Sequence, residues 1–518
     1  MRAVSRAVGA CAAALLAGAC ASSHAATISL DDIVDGVVAR YQLPGIAVGV
    51  IEDGKVVYEG TRGELVAGSG RRVTPRSLFK IASNSKAMTA SVLARLVEAG
   101  KLKWDDPVVK YLPGFAMYDP WVTRNMQVRD LLVHNSGLPE GGGDLMLWPE
   151  PNRFTRPDIV HGLRYIKPAY GFRSGYAYDN LLYVVAGEVA ASAGGASYEE
   201  LVRREVFVPL NLARCRVGAW HSADIEDVAQ PHMRKDGANV PIDADAAEVP
   251  AITSAAAGGI RCSLDDMLAW ARNWLVPTPA QLRWLPPKQR AELWAARTPM
   301  PISERRRKWD DTHYLAYADG WRLADVDGEW TVSHTGTLSG MYSVLMLLPD
   351  RKSGFVVMIN GAGDDARTVI TEMLLKHFTA PGRMRSVASY ADEIAKPAAG
   401  SPEPAKVAPS RATVSAQDMQ RWLGTWRDPW FGDVTLCPAA GGVHFQSAKS
   451  PLVSGMVMRE GDRLVVDWEG DAVDTDAYLQ FSGDDTAAAA MKLSKVDPDA
   501  DFSTDFEDLA FSRIARCE

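Results

Sequence analysis

Between residues 396 and 413 the chain is rich in Pro, Ala and Ser, and Val407 is its one large apolar side chain, so this stretch cannot build a core of its own. It reads as a linker. At 518 residues the chain also exceeds what one hydrophobic core organises, so the break implies two folded parts. Upstream of it, residues 30–41 carry Leu30, Ile33, Val37 and Val38 on one helical face. Two short β runs at 46–51 and 55–59 flank Glu52-Asp53-Gly54, an Asp-Gly hairpin signal. Residues 83–99 have helical apolar spacing and stop at Gly100. Strand patterns return at 330–333, 342–348 and 354–359, the last two separated by the turn 349–352. Strands near both ends with helices between them predict an antiparallel sheet closed by the two termini of this part, with a mostly helical insert. Downstream, short strands at 424–426, 433–436, 443–446 and 463–468, punctuated by Asp-Gly and Gly-Gly turns, predict a small all-β module, a half-open barrel. The boundaries expected are 1–25 for a leader, 26–385 for an α/β (α+β) domain, 386–415 for the linker and 416–518 for the β module. A cut in the linker should then release two pieces that fold separately, the first keeping its chemistry.

The leader follows from charge and apolarity. Arg2 and Arg6 precede an apolar stretch at 8–21, and Ser23 and Ala25 are small residues at the −3 and −1 positions of a cleavage site. The stretch is shorter than the roughly 20 residues that span a bilayer, and no later segment is long and apolar enough to do so. Leu16-Ala17-Gly18-Ala19-Cys20 distantly resembles a lipoprotein box, but its leucine stands one place too far from the cysteine. Export into an oxidising compartment, periplasmic or extracellular, fits the four cysteines left after cleavage: Cys215, Cys262, Cys437 and Cys517. Of three possible pairings, Cys215 with Cys262 and Cys437 with Cys517 keeps each bridge inside one expected domain. A net charge of −8 and no long basic block argue against a nucleic-acid partner. The densest basic cluster, Arg305-Arg306-Arg307-Lys308, is too short to steer a polyanion.

The chemistry concentrates at Phe79-Lys80-Ile81-Ala82-Ser83-Asn84-Ser85-Lys86. A hydroxyl needs a base within hydrogen-bond reach to act as a nucleophile. Residues three apart share a helical face, which sets Ser83 beside Lys86. A buried lysine has a depressed pKa and can take or relay a proton. Ser-x-x-Lys alone is a weak signal; two further motifs give it weight, Tyr178-Asp179-Asn180 and His334-Thr335-Gly336 at the head of a strand pattern. No Gly-x-Ser-x-Gly elbow, His-Glu-x-x-His pair or phosphate loop is present, so neither an α/β-hydrolase nor a metal or other cofactor is expected.

In this order the three motifs resemble those of the serine β-lactamase-like and penicillin-binding-protein-like hydrolases, in their class C β-lactamase, esterase and D-aminopeptidase branch. Supporting stretches include the run from Asp130 through His134 to Pro139 and Ala257-Gly258-Gly259-Ile260. The resemblance runs from about Leu30 to Phe378. It implies a β-lactamase-like antiparallel sheet flanked by helices plus a helical subdomain, and the β module is similar to the lipocalin-like C-terminal domains of some members. By the same resemblance Ser83 forms an acyl-enzyme, Lys86 and Tyr178 share the proton traffic, and Asn180, His334, Thr335, Gly336 and Thr337 bind substrate. Backbone N–H groups of Ser83 and Thr337 would hold the oxyanion. His134 reads as structural. His334 stands where many relatives carry lysine, and a largely neutral imidazole would weaken a carboxylate anchor. That points to a small ester, peptide or amide substrate; the alternatives are a β-lactamase or DD-peptidase, or a penicillin-sensor-like protein that acylates with little turnover.

Overall fold

The computed structural model describes residues 28–242, 244–396, 410–483 and 489–517. The expected leader, and residues 397–409 of the expected linker, lie outside the described residues. Helix α1 (Leu30–Tyr41) starts where Ser29 and Asp32 form a capping box and ends at Gln42 in the left-handed region. Strand β1 (Gly45–Glu52) pairs antiparallel with β2 (Lys55–Gly63). Asp53 (φ 43°) and Gly54 (φ 75°) give the hairpin turn its two positive φ angles. The other strands of this sheet come much later: β3 (Thr298–Pro299), β4 (Leu315–Tyr317), β5 (Arg322–Val326), β6 (Glu329–Leu338), β7 (Met341–Leu348) and β8 (Ser353–Ile359). The order is β2-β1-β8-β7-β6-β5-β4-β3, so β1 and β8 close the sheet from the two ends of this part, as the strand pattern predicts.

Both faces are covered, which is why β1, β7 and β8 read as nearly continuous apolar runs. Alternation divides their side chains. Phe355, Val357 and Ile359 of β8 pack with α1 and α5 (Asp364–Thr379), whereas Val356 and Met358 face a larger core. That core contains α2 (Ser85–Glu98), α3 (Leu181–Gly194) and α4 (Leu264–Leu275) from the helical insert. Cys215 and Cys262 form one of the two expected disulfides inside this insert.

After β9 (Ala412–Thr413), eight strands follow: β10 (Gly424–Asp428), β11 (Gly432–Ala439), β12 (Gly442–Ser447), β13 (Ser454–Glu460), β14 (Arg463–Trp468), β15 (Ala477–Ser482), β16 (Ala490–Lys495) and β17 (Phe511–Ala515). Each pairs with the next, and β17 returns to β10, so this is a closed up-and-down barrel rather than the half-open one expected. The Cys437–Cys517 disulfide ties β11 to the chain end beyond β17. The barrel is consistent with a lipocalin-like domain.

The barrel does not hang free. Phe154 and Phe431 meet across the junction with tilted rings whose centroids are 5.8 Å apart, Lys449 pairs with Asp158 at 2.7 Å, and one apolar cluster runs through both parts. A polar linker therefore does not mean weakly coupled parts.

One glycine marks a close approach beneath the serine turn. At Gly336 in β6 an added Cβ would lie 2.2 Å from the Ile81 carbonyl oxygen and 2.4 Å from Ser343 Oγ. We predict that Gly336→Ala lowers stability by about 1–3 kcal/mol, because a backbone oxygen cannot step aside as a flexible side chain can. Urea titration with the wild type alongside checks this; an unchanged midpoint would refute it.

Candidate active site

Ser83 sits on a 3₁₀ turn, Ala82–Asn84, that leads into α2. Ala82 has φ 48°, a left-handed conformation that a non-glycine residue adopts only when its surroundings enforce it. They do so through hydrogen bonds. Ser343 Oγ donates to the Ile81 carbonyl at 2.8 Å, Asn84 Nδ2 donates to Ser343 Oγ at 2.8 Å, and Phe79–Lys80 pairs with Arg261–Cys262. The regular helix thus begins at Ser85, two residues later than its periodicity predicts. The spacing of three still works across the joint: Lys86 Nζ is 2.9 Å from Ser83 Oγ.

Lys86 is fully buried. Its Nζ also donates to Asn180 Oδ1 at 2.8 Å and to the Ala257 carbonyl at 3.0 Å. Burial pushes the ammonium down to about 7; Asp144 pulls it back up and Arg322 adds to the depression. A neutral amine here can donate to Asn180 and Ala257 while its lone pair faces Ser83. Tyr178 is buried, its ring 4.8 Å from Lys86 Nζ and 4.2 Å from the His134 ring, and it lines the cleft together with Ser83. Burial raises this phenol, so Tyr178 rests protonated and Lys86 is the better resting base. His134 is structural, as the sequence suggests: its Nδ1 accepts the Asp179 N–H at 3.1 Å, and burial pulls it down to about 4, leaving it neutral.

Asn180 stands at the start of α3 without capping it. Asp179 does that work, accepting the Leu182 N–H at 3.2 Å. Asn180 is free to bridge instead, its Oδ1 to Lys86 and its Nδ2 to Asp144 Oδ2 at 2.8 Å.

Ser83, Tyr178, Asn180, Thr335 and Thr337 line a common cleft of about 570 Å³. His334 and Gly336 do not. Along a strand alternate side chains point to opposite faces, so Thr335 and Thr337 can face the cleft only if their neighbours turn away. His334 is fully buried, with Nε2 2.7 Å from Tyr317 Oη and Nδ1 2.6 Å from the Thr335 carbonyl, and burial depresses its pKa strongly. The expectation that its side chain contacts substrate is therefore corrected. Gly336 is needed for close approach to the serine turn, not for binding.

The structure adds groups the motifs did not name. Arg322 on β5 lies across from Ser333 and lines the cleft, donating to Thr335 Oγ1 at 2.8 Å. Trp321 before it is buried and stacks on Trp270, and alternation then sends Arg322 to the opposite side. The Asp327-Gly328 turn between β5 and β6 carried the signal: a hairpin folded there brings Arg322 beside the third motif. Arg322 places a positive charge at this wall, beside the third motif. Asp144, Phe502 and Ser503 gave no local signal; the last two reach the cleft from the barrel.

Comparison with known proteins identifies the family and the fold. The Beta-lactamase family model matches residues 30–380, and the chain belongs to that family, whose members include β-lactamases and penicillin-binding proteins. It is similar to unguisins hydrolase ungD' of Aspergillus campestris, 27% identical over 337 residues, which cover 63% of this chain but only 60% of that relative. It is also similar to penicillin-binding protein 4 of Amycolatopsis lactamdurans, 27% identical over 353 residues, covering 65% of this chain and 86% of the relative. Among solved structures, the octameric penicillin-binding protein homologue from Pyrococcus abyssi superposes with a TM-score of 0.57 at 18% identity, covering 93% of this chain and 99% of that one. A class C β-lactamase superposes at 0.54 and 19% identity, covering 67% and 95%. These two show the shared fold.

The lowered Lys86 makes a pH prediction. With Lys86 as the base, the active form is the unprotonated amine, which predominates above its folded pKa of about 7. The second-order rate of Ser83 labelling by a fluorophosphonate should rise with pH through about 7 and then level off. A rate that is flat from pH 5 to 9 would contradict Lys86 as base.

Proposed function

We propose that the chain is an exported serine hydrolase that cleaves ester or amide bonds through an acyl-Ser83 intermediate. The observation that carries this reading is a buried amine 2.9 Å from a hydroxyl that opens onto a cleft. Neutral Lys86 takes the Ser83 proton as Oγ bonds to the substrate carbonyl carbon, and the carbonyl electron pair moves onto oxygen. Backbone N–H groups of Ser83 and Thr337 are the donors proposed for that oxyanion. Collapse of the intermediate breaks the bond to the leaving group, which takes its proton from Lys86 or through Tyr178. Water then adds to the acyl carbon, gives a proton back to Ser83 Oγ by the same relay, and releases the acid.

Arg322 refines the substrate class. Its guanidinium forms no ion pair among the described residues and lies against the Tyr178 and Tyr317 rings, open to the cleft. A charged donor so placed favours substrates with a carboxylate near the scissile bond. This supports a second reading, a peptide carboxylate or β-lactam substrate, beside the neutral ester. Export is supported by the leader pattern and by the two disulfides; among the described residues no helix is long and apolar enough to cross a membrane.

Ser83→Ala should abolish both turnover and phosphonate labelling while leaving the fold intact, as read by circular dichroism; labelling that persists at another serine would overturn the assignment. A nitrophenyl ester, a D-amino-acid amide, a peptide with a free carboxylate and a chromogenic cephalosporin, assayed side by side, separate the substrate readings. Arg322→Gln should lower kcat/KM for the carboxylate-bearing substrates about 10- to 100-fold relative to the neutral ester, the size of one charged hydrogen bond. An unchanged ratio would remove Arg322 as the anchor.

A further inference from the structure

A chain of hydrogen bonds connects the barrel to Lys86. Ser503 and Asp505 lie in the segment between β16 and β17. Asp505 Oδ2 accepts the Gly143 N–H at 2.5 Å and Oδ1 accepts the Leu145 N–H at 3.3 Å, gripping the turn that carries Asp144 from both sides. Ser503 Oγ donates to Asp144 Oδ2 at 2.7 Å, and the same oxygen accepts Asn180 Nδ2 at 2.8 Å. Asn180 Oδ1 in turn accepts from Lys86 Nζ. Contact is close throughout: a Cβ at Gly141 (φ 69°) would lie 2.5 Å from the Phe502 carbonyl oxygen, and the Phe502 ring stands 5.9 Å from that of Tyr178.

The geometry points to Asp144 as a positioning residue for the acylation site, held in place from the barrel by Ser503 and Asp505. The reasoning is one of donors and acceptors. An amide side chain can rotate its oxygen and nitrogen ends into each other's places. Only a pure acceptor at Asp144 forces the Asn180 NH₂ toward itself and so turns Oδ1 toward Lys86. A lysine facing the NH₂ end would lose one of its three partners and leave its register with Ser83. Ser503, a hydroxyl donor, reinforces the acceptor role of Asp144. Asp144 is fully buried, and among the described residues its Oδ1 has no hydrogen-bond partner.

Charge adds to position. Asp144 favours the ammonium form of Lys86, and Lys86 is also faced by Asp179, Arg322, Tyr178 and Tyr183, with both His134 and His334 neutral nearby. Asp144 itself is faced by Asp505, Asp179 and Lys86. Burial raises it to about 7, opposed by the bonds from Asn180 and Ser503 and by Lys86. Removing its charge should thus lower the Lys86 pKa and move the acid limb of the rate to lower pH.

The inference rests on the reading of Ser83 and Lys86 as the acylating pair. The test uses the full chain and three variants, with ester kinetics normalised to sites titrated by the phosphonate. Asp144→Ala should lower kcat per titrated site about 10- to 100-fold with KM within about threefold, as expected for losing a hydrogen bond to a charged network. Asp144→Asn, which keeps the size of the side chain but is no longer a pure acceptor and carries no charge, should recover only part of that kcat, with an acid limb that still lies below that of the wild type. Ser503→Ala should lower kcat several-fold without reducing the titrated fraction. A purely structural role would instead reduce the titrated fraction and leave kcat per site and the pH limb unmoved, which would overturn the proposal. Wild-type kcat in Ser503→Ala beside an impaired Asp144→Ala would overturn the barrel's part in it. If the unsubstituted chain fails to label at Ser83, the acylating-pair reading falls and this inference falls with it; wild-type kcat per titrated site in every variant overturns the positioning role alone.

Discussion

An ammonium taken out of water is costly, and most of this active site follows from burying one. Lys86 has no contact with solvent, so its three hydrogen-bonding positions must be met by protein atoms: Ser83 Oγ, Asn180 Oδ1 and the Ala257 carbonyl. Each comes from a different part of the helical insert, and their convergence sets α2, α3 and the 255–260 turn against one another. The same burial lowers the lysine's proton affinity to the region where it can exchange a proton with a serine. Structure and reactivity here have one cause.

The sheet supplies the opposite wall. Strand β6 crosses beneath the serine turn so closely that only glycine fits at position 336, and alternation then presents Thr335 and Thr337 to the cleft. Its neighbour β5 adds Arg322, whose guanidinium brings a positive charge to this wall. The barrel completes the enclosure through Phe502 and Ser503, so a cleft made by residues of the matched family region is finished by residues beyond it. The apolar cluster that runs through both parts explains why the barrel can be held accurately enough to do this.

Much of this was legible from the chain. The limits of α1, the β1–β2 hairpin, the return of strands after the helical insert and the up-to-date pairing of all four cysteines rest on local patterning and chain order, which survive folding unchanged. So does the meeting of Ser83 and Lys86, because a spacing of three persists even where the helix is replaced by a 3₁₀ turn. The misreading of His334 had a local cause as well. Four consecutive residues, 334–337, were all assigned to substrate, yet a strand can turn only every second side chain to one face.

What the sequence by itself determined is which hydroxyl, which amine and which phenol meet, and the family of folds that brings them together. Only the tertiary structure decided their environment. Whether Lys86 is exposed or buried, which end of the Asn180 amide faces it, and which cation stands at the third motif depend on contacts between residues tens to hundreds of positions apart. Ser503 touches Asp144 across 359 positions. Such a contact leaves no periodicity or spacing in the chain, because it is set by how two separately patterned parts pack, and packing is a property of surfaces rather than of neighbours in sequence.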